Sequence, residues 1–151
     1  METETTIGKQ HYIYGSIFYI SNKLQALMDR TLGKHGITTK QWLLTIILQE
    51  HFQSPPTLNE VTKVMGTSHQ NVKQLALKLE EKGLLSLEPD DEDKRAIRLT
   101  LTEKSDNFWK SMEDESVLFL HSFFKDMTEK ELRVMVSGFK KIADNLEDFK
   151  E

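Results

Sequence analysis

The chain has 151 residues, a formal net charge of −4 and no cysteine. This length is typical of one domain with a real core, and the lack of cysteine excludes disulfides, thiolate metal ligands and thiol redox switches. No apolar stretch approaches the roughly 20 residues of a membrane span, and the polar start METETTIGKQ does not resemble a signal peptide. We therefore expect a soluble cytoplasmic protein that does not bind membranes. Because the net charge is negative, any binding of nucleic acid must depend on how the basic residues are distributed.

The first third of the chain predicts two helices. Apolar residues recur at helical spacing across 11–32, and the sequence GKHG at 33–36 then favours a helix stop and a turn. The segment TTKQWLLTIILQEHF, at 38–52, begins with a capping threonine and continues with helical periodicity. The sequence QSPP at 53–56 ends this second helix.

Two short helices with similar caps follow and predict a helix-turn-helix. Thr57 and Glu60 form a capping box for a helix that ends at Gly66. The next helix, predicted over 67–82, opens with a T-x-x-Q cap at 67–70. Two capped helices joined by a tight turn are typical of DNA-binding units. An ordinary helical hairpin in an α-domain would carry the same signals.

A predicted β-hairpin separates these alternatives. The segments 84–89 and 96–102 read as strands on either side of the acidic stretch 90–95. A hairpin directly after a helix-turn-helix makes a winged helix-turn-helix. Two long helices close the chain, one from about 102 to 125 and one that opens with a T-x-x-E box at 128–131. The predicted fold class is mainly α (α+β), a winged helix-turn-helix with N- and C-terminal dimerisation helices.

This order of elements resembles the MarR family of bacterial transcription regulators over nearly the whole chain. The resemblance rests on GITTKQWLLT at 36–45, LEEKGLL at 79–85 and DKRAIRLTLTEKS at 93–105. The last fragment is similar to the family's wing pattern, D-x-R followed by alternating residues and L-x-L-T-x-x-G. The resemblance implies one MarR-like domain over 1–151, with dimerisation helices at 1–35 and 103–151 around a winged helix-turn-helix at 36–102.

The chain departs from the family pattern at three positions. Ser105 stands where the family usually has glycine, which changes the geometry of a helix start. Leu87 occupies a strand position that is often basic, so one phosphate contact is expected to be missing. Leu77 lies on the outward face of the second helix of the helix-turn-helix, where it would touch a thymine methyl group or deoxyribose, or cover the wing.

The expected DNA contacts come from the outward face of that helix, from its start and from the wing. Glutamine and asparagine pair with adenine edges, lysine bonds guanine or phosphate, and hydroxyls with the helix start bind phosphate. The helix-turn-helix is locally basic, with three lysines against one glutamate between 57 and 79. The alternative is a merely solvated helix face. The candidate residues are Thr67, Ser68, His69, Gln70, Asn71, Lys73, Gln74, Lys78, Lys94 and Arg95.

The acidic wing tip needs a separate explanation. The resemblance implies that Asp93 braces Arg95 through a bidentate pair and that Arg95 enters the narrow minor groove of A·T-rich DNA. Asp90, Asp91 and Glu92 have no such role, so we expect them to be solvated and to moderate non-specific affinity by repelling phosphate. Neutralising these three residues is expected to tighten binding to random DNA, and an unchanged affinity at low salt would rule the idea out.

A homodimer on a pseudopalindromic operator is expected, because one helix-turn-helix binds too little surface for high specificity. The two recognition helices should then lie roughly 34 Å apart. The alternative is that the apolar residues of the terminal helices fill a monomer's own core. The expected interface residues are Ile13, Ile17, Phe119, Phe123, Phe139, Ile142 and Leu146.

The resemblance further implies a ligand-responsive repressor, with a phenolic or amphipathic anion as effector. The effector would enter a cleft between the dimer helices and the winged unit, for which Tyr12, Tyr19 and Trp42 are candidate lining residues. No cofactor and no metal are expected, because the histidines are scattered. An enzyme is disfavoured because no G-x-S-x-G, P-loop or H-E-x-x-H motif occurs. The alternative function is a winged-helix protein-interaction module that has lost DNA binding, which Leu87 and the acidic tip would suit.

Overall fold

A computed structural model describes residues 3–149, and these residues form seven helices and two strands. The predicted fold class is confirmed, although the first two and last two residues of the predicted domain lie outside the described part. The chain divides into two compact units, 1–107 and 108–151. The elements are α1 (Thr6–Gly33), α2 (Thr39–His51), α3 (Leu58–Met65), α4 (His69–Glu81), β1 (Leu85–Pro89), β2 (Ile97–Leu101), α5 (Glu103–Ser111), α6 (Glu113–Phe123) and α7 (Glu129–Glu147).

Local side-chain caps determine where the first helices begin. α1 starts five residues before the apolar periodicity does, because the Thr5 hydroxyl accepts a hydrogen bond of 3.1 Å from the Gly8 N–H. Thr38 and Gln41 form a complete capping box at the start of α2. The predicted box at the start of α3 is confirmed, since the Thr57 N–H donates to the Glu60 carboxylate at 2.7 Å.

The core of the first unit lies between α2, α3, α4 and the strands. Its fully or almost fully buried apolar residues come from every one of these elements, and burying each leucine or valine contributes roughly 1.5–3 kcal/mol. This packing fixes α4 against the hairpin and leaves the opposite side of α4 in solvent. The buried residues are Leu32, Ile37, Leu44, Ile47, Leu48, Leu58, Val61, Val72, Ala76, Leu79, Leu84, Leu85 and Leu99.

The predicted helix over 102–125 is wrong in extent, because it is broken at Met112. The Ser111 hydroxyl donates to the Phe108 carbonyl at 2.6 Å, and the Met112 N–H donates to the Trp109 carbonyl at 3.1 Å. In a continuous helix, each of these two carbonyls would instead accept a hydrogen bond from the N–H four residues later. Three acidic residues at 113–115 then suit the positive end of a new helix. Apolar periodicity continues across the break, so it could not show the interruption.

The second unit contains α6 and α7, which meet at a turn where Asp126 has a left-handed backbone, φ 66°. The predicted T-x-x-E box is confirmed, since Thr128 and Glu131 cap α7 reciprocally. None of the described residues of α6 or α7 is buried. The apolar stripe of α7 is therefore solvent-exposed in the single chain, with Phe139 at 52% and Leu146 at 60% exposure.

Candidate nucleic-acid interface

The turn between α3 and α4 depends on one glycine. Gly66 has the left-handed angles φ 62° and ψ 33°, and its N–H donates to the Thr62 carbonyl at 3.2 Å. A residue with a Cβ is strained in this region, so glycine suits the position. The turn ends α3 and sends the chain directly into the start of α4.

The predicted T-x-x-Q cap of α4 is wrong by one residue. Ser68 is the N-cap, and its hydroxyl accepts from the Asn71 N–H at 3.2 Å. Thr67 instead accepts a 3.1 Å bond from the Asn71 side-chain amide. Both residues at this point carry hydroxyls, so the sequence alone does not show which one caps. Gln70 therefore does not form the predicted cap, and its side-chain amide is not used in a hydrogen bond at the start of the helix.

The polar candidate DNA contacts on α4 lie on a different side of the helix from its buried apolar residues. Val72, Ala76 and Leu79 are buried, whereas Thr67 and Leu77 are half-buried. The remaining candidates of this element share one property, exposure to solvent. They are Ser68, His69, Gln70, Asn71, Lys73, Gln74 and Lys78. This exposed amide- and lysine-bearing surface of α4 is hereafter the recognition face.

The wing has a third segment that sequence reasoning missed. β1 and β2 pair antiparallel from Leu85↔Leu101 to Pro89↔Ile97. On the other edge of β2, Thr57 bridges to Arg98, and the Leu99 N–H donates to the Pro56 carbonyl at 2.9 Å. The prolines of QSPP predict the end of a helix, but proline is also tolerated on an edge strand. The wing is thus joined to the start of α3.

The base of the wing is also tied to α4. The Glu80 carboxylate accepts a 3.0 Å hydrogen bond from the Leu87 N–H. Leu87 itself is half-buried, so its side chain adds no cation where a basic residue was anticipated. The wing is therefore attached to the helix-turn-helix at two places, through Glu80 and through the segment before α3.

Asp90 is not solvated, which corrects the expectation for the wing tip. Its side chain is only 9% exposed. One carboxylate oxygen accepts from the Glu92 and Asp93 N–H groups at 3.0 and 2.8 Å, and the other accepts from Nε of Arg98. These contacts form an Asx turn that organises the tip. The Asp93 N–H first and the Arg98 guanidinium second lower the pKa of Asp90 below its ordinary value.

The contact between Asp93 and Arg95 differs from the expected bidentate pair. The Asp93 carboxylate accepts from the backbone N–H of Arg95 at 3.0 Å, because the two residues lie in the same tight turn. Within residues 3–149, the exposed Arg95 guanidinium has no ion-pair partner. Lys94, in contrast, lies 3.8 Å from Asp91, with both side chains exposed. The expected solvated position is confirmed for Asp91 and Glu92.

A model of the MarR family matches residues 35–96. The matched segment includes α2, α3, α4, β1 and the wing tip, which are the elements that build the recognition face and its wing. The winged helix-turn-helix of this chain is therefore similar to that of the MarR family, over a segment shorter than half of the chain.

Named relatives and a solved structure match most of the chain. The transcriptional repressor MprA of Escherichia coli is 24% identical over 135 residues, which cover 88% of this chain and 76% of the relative. The transcriptional activatory protein BadR of Rhodopseudomonas palustris is 20% identical over 136 residues, 89% of this chain and 78% of the relative. The S. aureus MepR–DNA complex superposes with a TM-score of 0.73 at 22% identity, over 87% of this chain and 97% of that one, which shows a shared fold.

Two other kinds of feature are absent from the described residues. No helix within residues 3–149 is long and apolar enough to cross a membrane. In the same part of the chain, no group of three or more His, Cys, Asp or Glu side chains is arranged to hold a metal ion.

Proposed function

We propose that this protein is a sequence-specific double-stranded DNA-binding transcriptional regulator that acts as a homodimer on a pseudopalindromic operator. The observation that carries the proposal is the recognition face, presented beside a wing whose Arg95 is unpaired in the described chain. MprA and BadR are named as regulators of transcription. MepR, which shares the fold, is found in complex with DNA.

The recognition face supplies the chemistry of base readout. Gln70 and Gln74 each offer an amide that can bond both N6 and N7 of adenine in the major groove. Lys73 and Lys78 are exposed cations for guanine or phosphate. Asn71 keeps its carbonyl oxygen for DNA, although its NH₂ group already donates to Thr67. These residues lie opposite the buried stripe, so they enter a groove without disturbing the core.

The wing supplies a second contact of a different kind. Arg95 follows a turn that Asp90 and Asp93 hold through backbone hydrogen bonds. An arginine without an internal partner is suited to the electronegative minor groove of A·T-rich DNA. Lys94 is the weaker contact, because Asp91 lies 3.8 Å away. We therefore assign minor-groove readout to Arg95 and phosphate attraction to Lys94.

The exposed apolar residues of the terminal helices support a homodimer. Ile13 on α1 is 51% exposed, and Phe119 and Phe123 on α6 are 36% and 42% exposed and stacked, with ring centroids 5.7 Å apart. Clusters of exposed apolar side chains on a monomer mark association surfaces. A second copy of the chain would bury them and present a second recognition face to the next DNA turn.

We propose repression relieved by a phenolic or amphipathic anion as the form of regulation. MprA is named a repressor, and α1 exposes aromatic side chains that suit such a ligand. Tyr12 and Tyr19 are 52% and 60% exposed, and Nζ of Lys23 lies 5.1 Å from the Tyr19 ring centroid. A cation beside an aromatic ring provides both stacking and charge for an anion. Adding salicylate to the protein–operator complex should release DNA, and Tyr19→Ala should reduce that response.

The test of DNA recognition is selection of a preferred duplex from a random pool, followed by single substitutions. Gln70→Ala should relax preference at one base pair by about 1–3 kcal/mol. Arg95→Ala should weaken A·T-flanked sites most. Gln49→Ala on α2 and Arg133→Ala on α7 alter exposed residues outside both the recognition face and the wing, and they serve as controls. Equal losses on all sequences would mean that these residues only anchor the backbone, and no retention at low salt would favour the protein-interaction alternative.

The test of the dimer uses two exposed apolar residues of α7. Phe139 lies on the apolar stripe and is 52% exposed, whereas Val134 is 65% exposed on the opposite side of the helix. Phe139→Glu should raise the dimer dissociation constant, with about 1–3 kcal/mol lost per protomer, whereas Val134→Glu should leave it unchanged. Sedimentation over a range of concentrations measures both. A single-chain particle for the unaltered protein at micromolar concentration would contradict the proposal.

A further inference from the structure

Arg98 lies at the junction between the wing tip and the segment that leads into α3, and it is not among the residues expected to contact DNA. Its backbone belongs to β2, where it pairs with Glu88 on one side and bridges to Thr57 on the other. Its guanidinium donates through Nε to the Asp90 carboxylate and through Nη1 to the Pro55 carbonyl at 2.6 Å. One side chain thus connects the tip to the segment that leads into α3.

The contact with Asp90 extends into the backbone of the tip. The Asp90 oxygen that does not face Arg98 accepts from the Glu92 and Asp93 N–H groups, at 3.0 and 2.8 Å. The Asp93 carboxylate then accepts from the Arg95 N–H at 3.0 Å. A continuous series of hydrogen bonds therefore runs from the Arg98 guanidinium to the backbone of Arg95.

Little else restrains the tip. Residues 91–95 are all exposed, so no apolar side chain anchors them in the core. The main-chain bonds within the tip are those from Asp90 to the Ala96 carbonyl and from Ala96 to the Asp93 carbonyl, both 2.9 Å. A short polar turn of this kind depends on side-chain to backbone bonds for its shape.

We infer that Arg98 is a positioning residue for DNA binding, which acts by holding Asp90 and thereby fixing the turn from which Arg95 projects. The inference rests on the proposed function. A turn that is already ordered in the free protein spares the cost of ordering it on DNA. Asp90, placed among the solvated acids on sequence grounds, is the partner through which Arg98 acts.

The substitution that tests this role should leave the sheet intact. Arg98→Met keeps an unbranched apolar stem and removes the guanidinium. The β1–β2 ladder and the bond from the Leu99 N–H to the Pro56 carbonyl are made by the main chain, so they do not need the Arg98 side chain. Arg133→Met is the matched control, because Arg133 makes an exposed ion pair with Glu129 at 3.7 Å on α7.

The experiment measures binding of the full-length protein to A·T-flanked and G·C-flanked versions of the selected duplex. Arg98→Met should weaken binding to the A·T-flanked duplex roughly three- to tenfold, the range expected for losing preorganisation of one long side chain. In an Arg95→Ala background the same change should have no further effect. A loss that persists without Arg95, or that is equal for both flanks, would show that Arg98 contacts DNA or supports the fold generally, and would overturn the inference.

A second measurement separates this inference from the proposed function. Amide hydrogen exchange in the free protein should show lost protection at Asp93 and Arg95 in Arg98→Met and unchanged protection in Arg133→Met. Unchanged exchange in Arg98→Met would overturn the positioning role even if DNA binding is confirmed. If the unaltered protein retains no duplex at low salt, the proposed function fails instead. Asp90→Asn keeps an acceptor for the two amides but loses the charge, so it should weaken DNA binding as Arg98→Met does. Combining the two substitutions should weaken binding by less than the sum of their separate effects.

Discussion

Ser105 stands where the MarR pattern usually has glycine, and the cost of this serine to stability can be tested. The residue lies in the first turn of α5 with 0% exposure, and its hydroxyl has no hydrogen-bond partner among the described residues. Its backbone N–H, in contrast, donates to the Thr102 hydroxyl at 3.2 Å. A buried hydroxyl without a partner keeps the desolvation cost of burial and gains no bond in return.

Replacing Ser105 with alanine should therefore stabilise the protein. Removing an unpaired buried polar group recovers about 1–3 kcal/mol, and alanine has a helix propensity up to about 0.7 kcal/mol better than other ordinary residues. A small loss of packing around the missing oxygen acts in the opposite direction. The net expectation is that the free energy of unfolding rises by about 1–2 kcal/mol, taking the unpaired hydroxyl as the dominant contribution.

Urea unfolding followed by circular dichroism measures this change, at one fixed protomer concentration because dimerisation would shift the midpoint. Ser105→Gly should recover the same hydroxyl cost but fall about 1 kcal/mol below Ser105→Ala, because glycine is the poorer helix former. Ser111→Ala is the control at an exposed serine whose hydroxyl bonds the Phe108 carbonyl at 2.6 Å, and it should stay within about 0.5 kcal/mol. A Ser105→Ala protein no more stable than the unaltered one would refute the reasoning, since it would mean that the hydroxyl is paired.

Two further predictions concern the turn and the wing. Gly66→Ala should cost about 1 kcal/mol, because its φ of 62° strains a residue with a Cβ; no clash adds to this cost, since no atom lies within 4 Å of the added Cβ. Gly66→Asn should cost less, and Gly33→Ala, at the last residue of α1, should stabilise the protein, as urea midpoints will show. Since the folded pKa of Asp90 is lowered, its contribution to stability should be full above the unfolded pKa of about 3.9 and lost as pH falls through the lower folded value. Titration of the Asp93 amide shift between pH 2 and 6 measures this, and an Asp90 that titrates at or above its ordinary value would contradict it.

The starts of several helices, the hairpin and the outward face of α4 follow from the sequence alone. The boxes Thr57–Glu60 and Thr128–Glu131 join residues three positions apart, so the local sequence contains all that is needed to form them. The recognition face follows from helical periodicity in the same way, because the positions of Val72, Ala76 and Leu79 determine which side of α4 is buried.

The organisation of the wing tip, in contrast, was decided by tertiary structure. Arg98 bonds Asp90, eight residues away, and the Pro55 carbonyl, 43 residues away. Arg98 meets Asp90 because β1 pairs with β2, and it meets the Pro55 carbonyl because the other edge of β2 lies beside the segment before α3. Local hydrogen-bond patterns determine where elements begin. The pairing of distant segments determines which acidic residue is buried and which arginine has no ion-pair partner among the described residues.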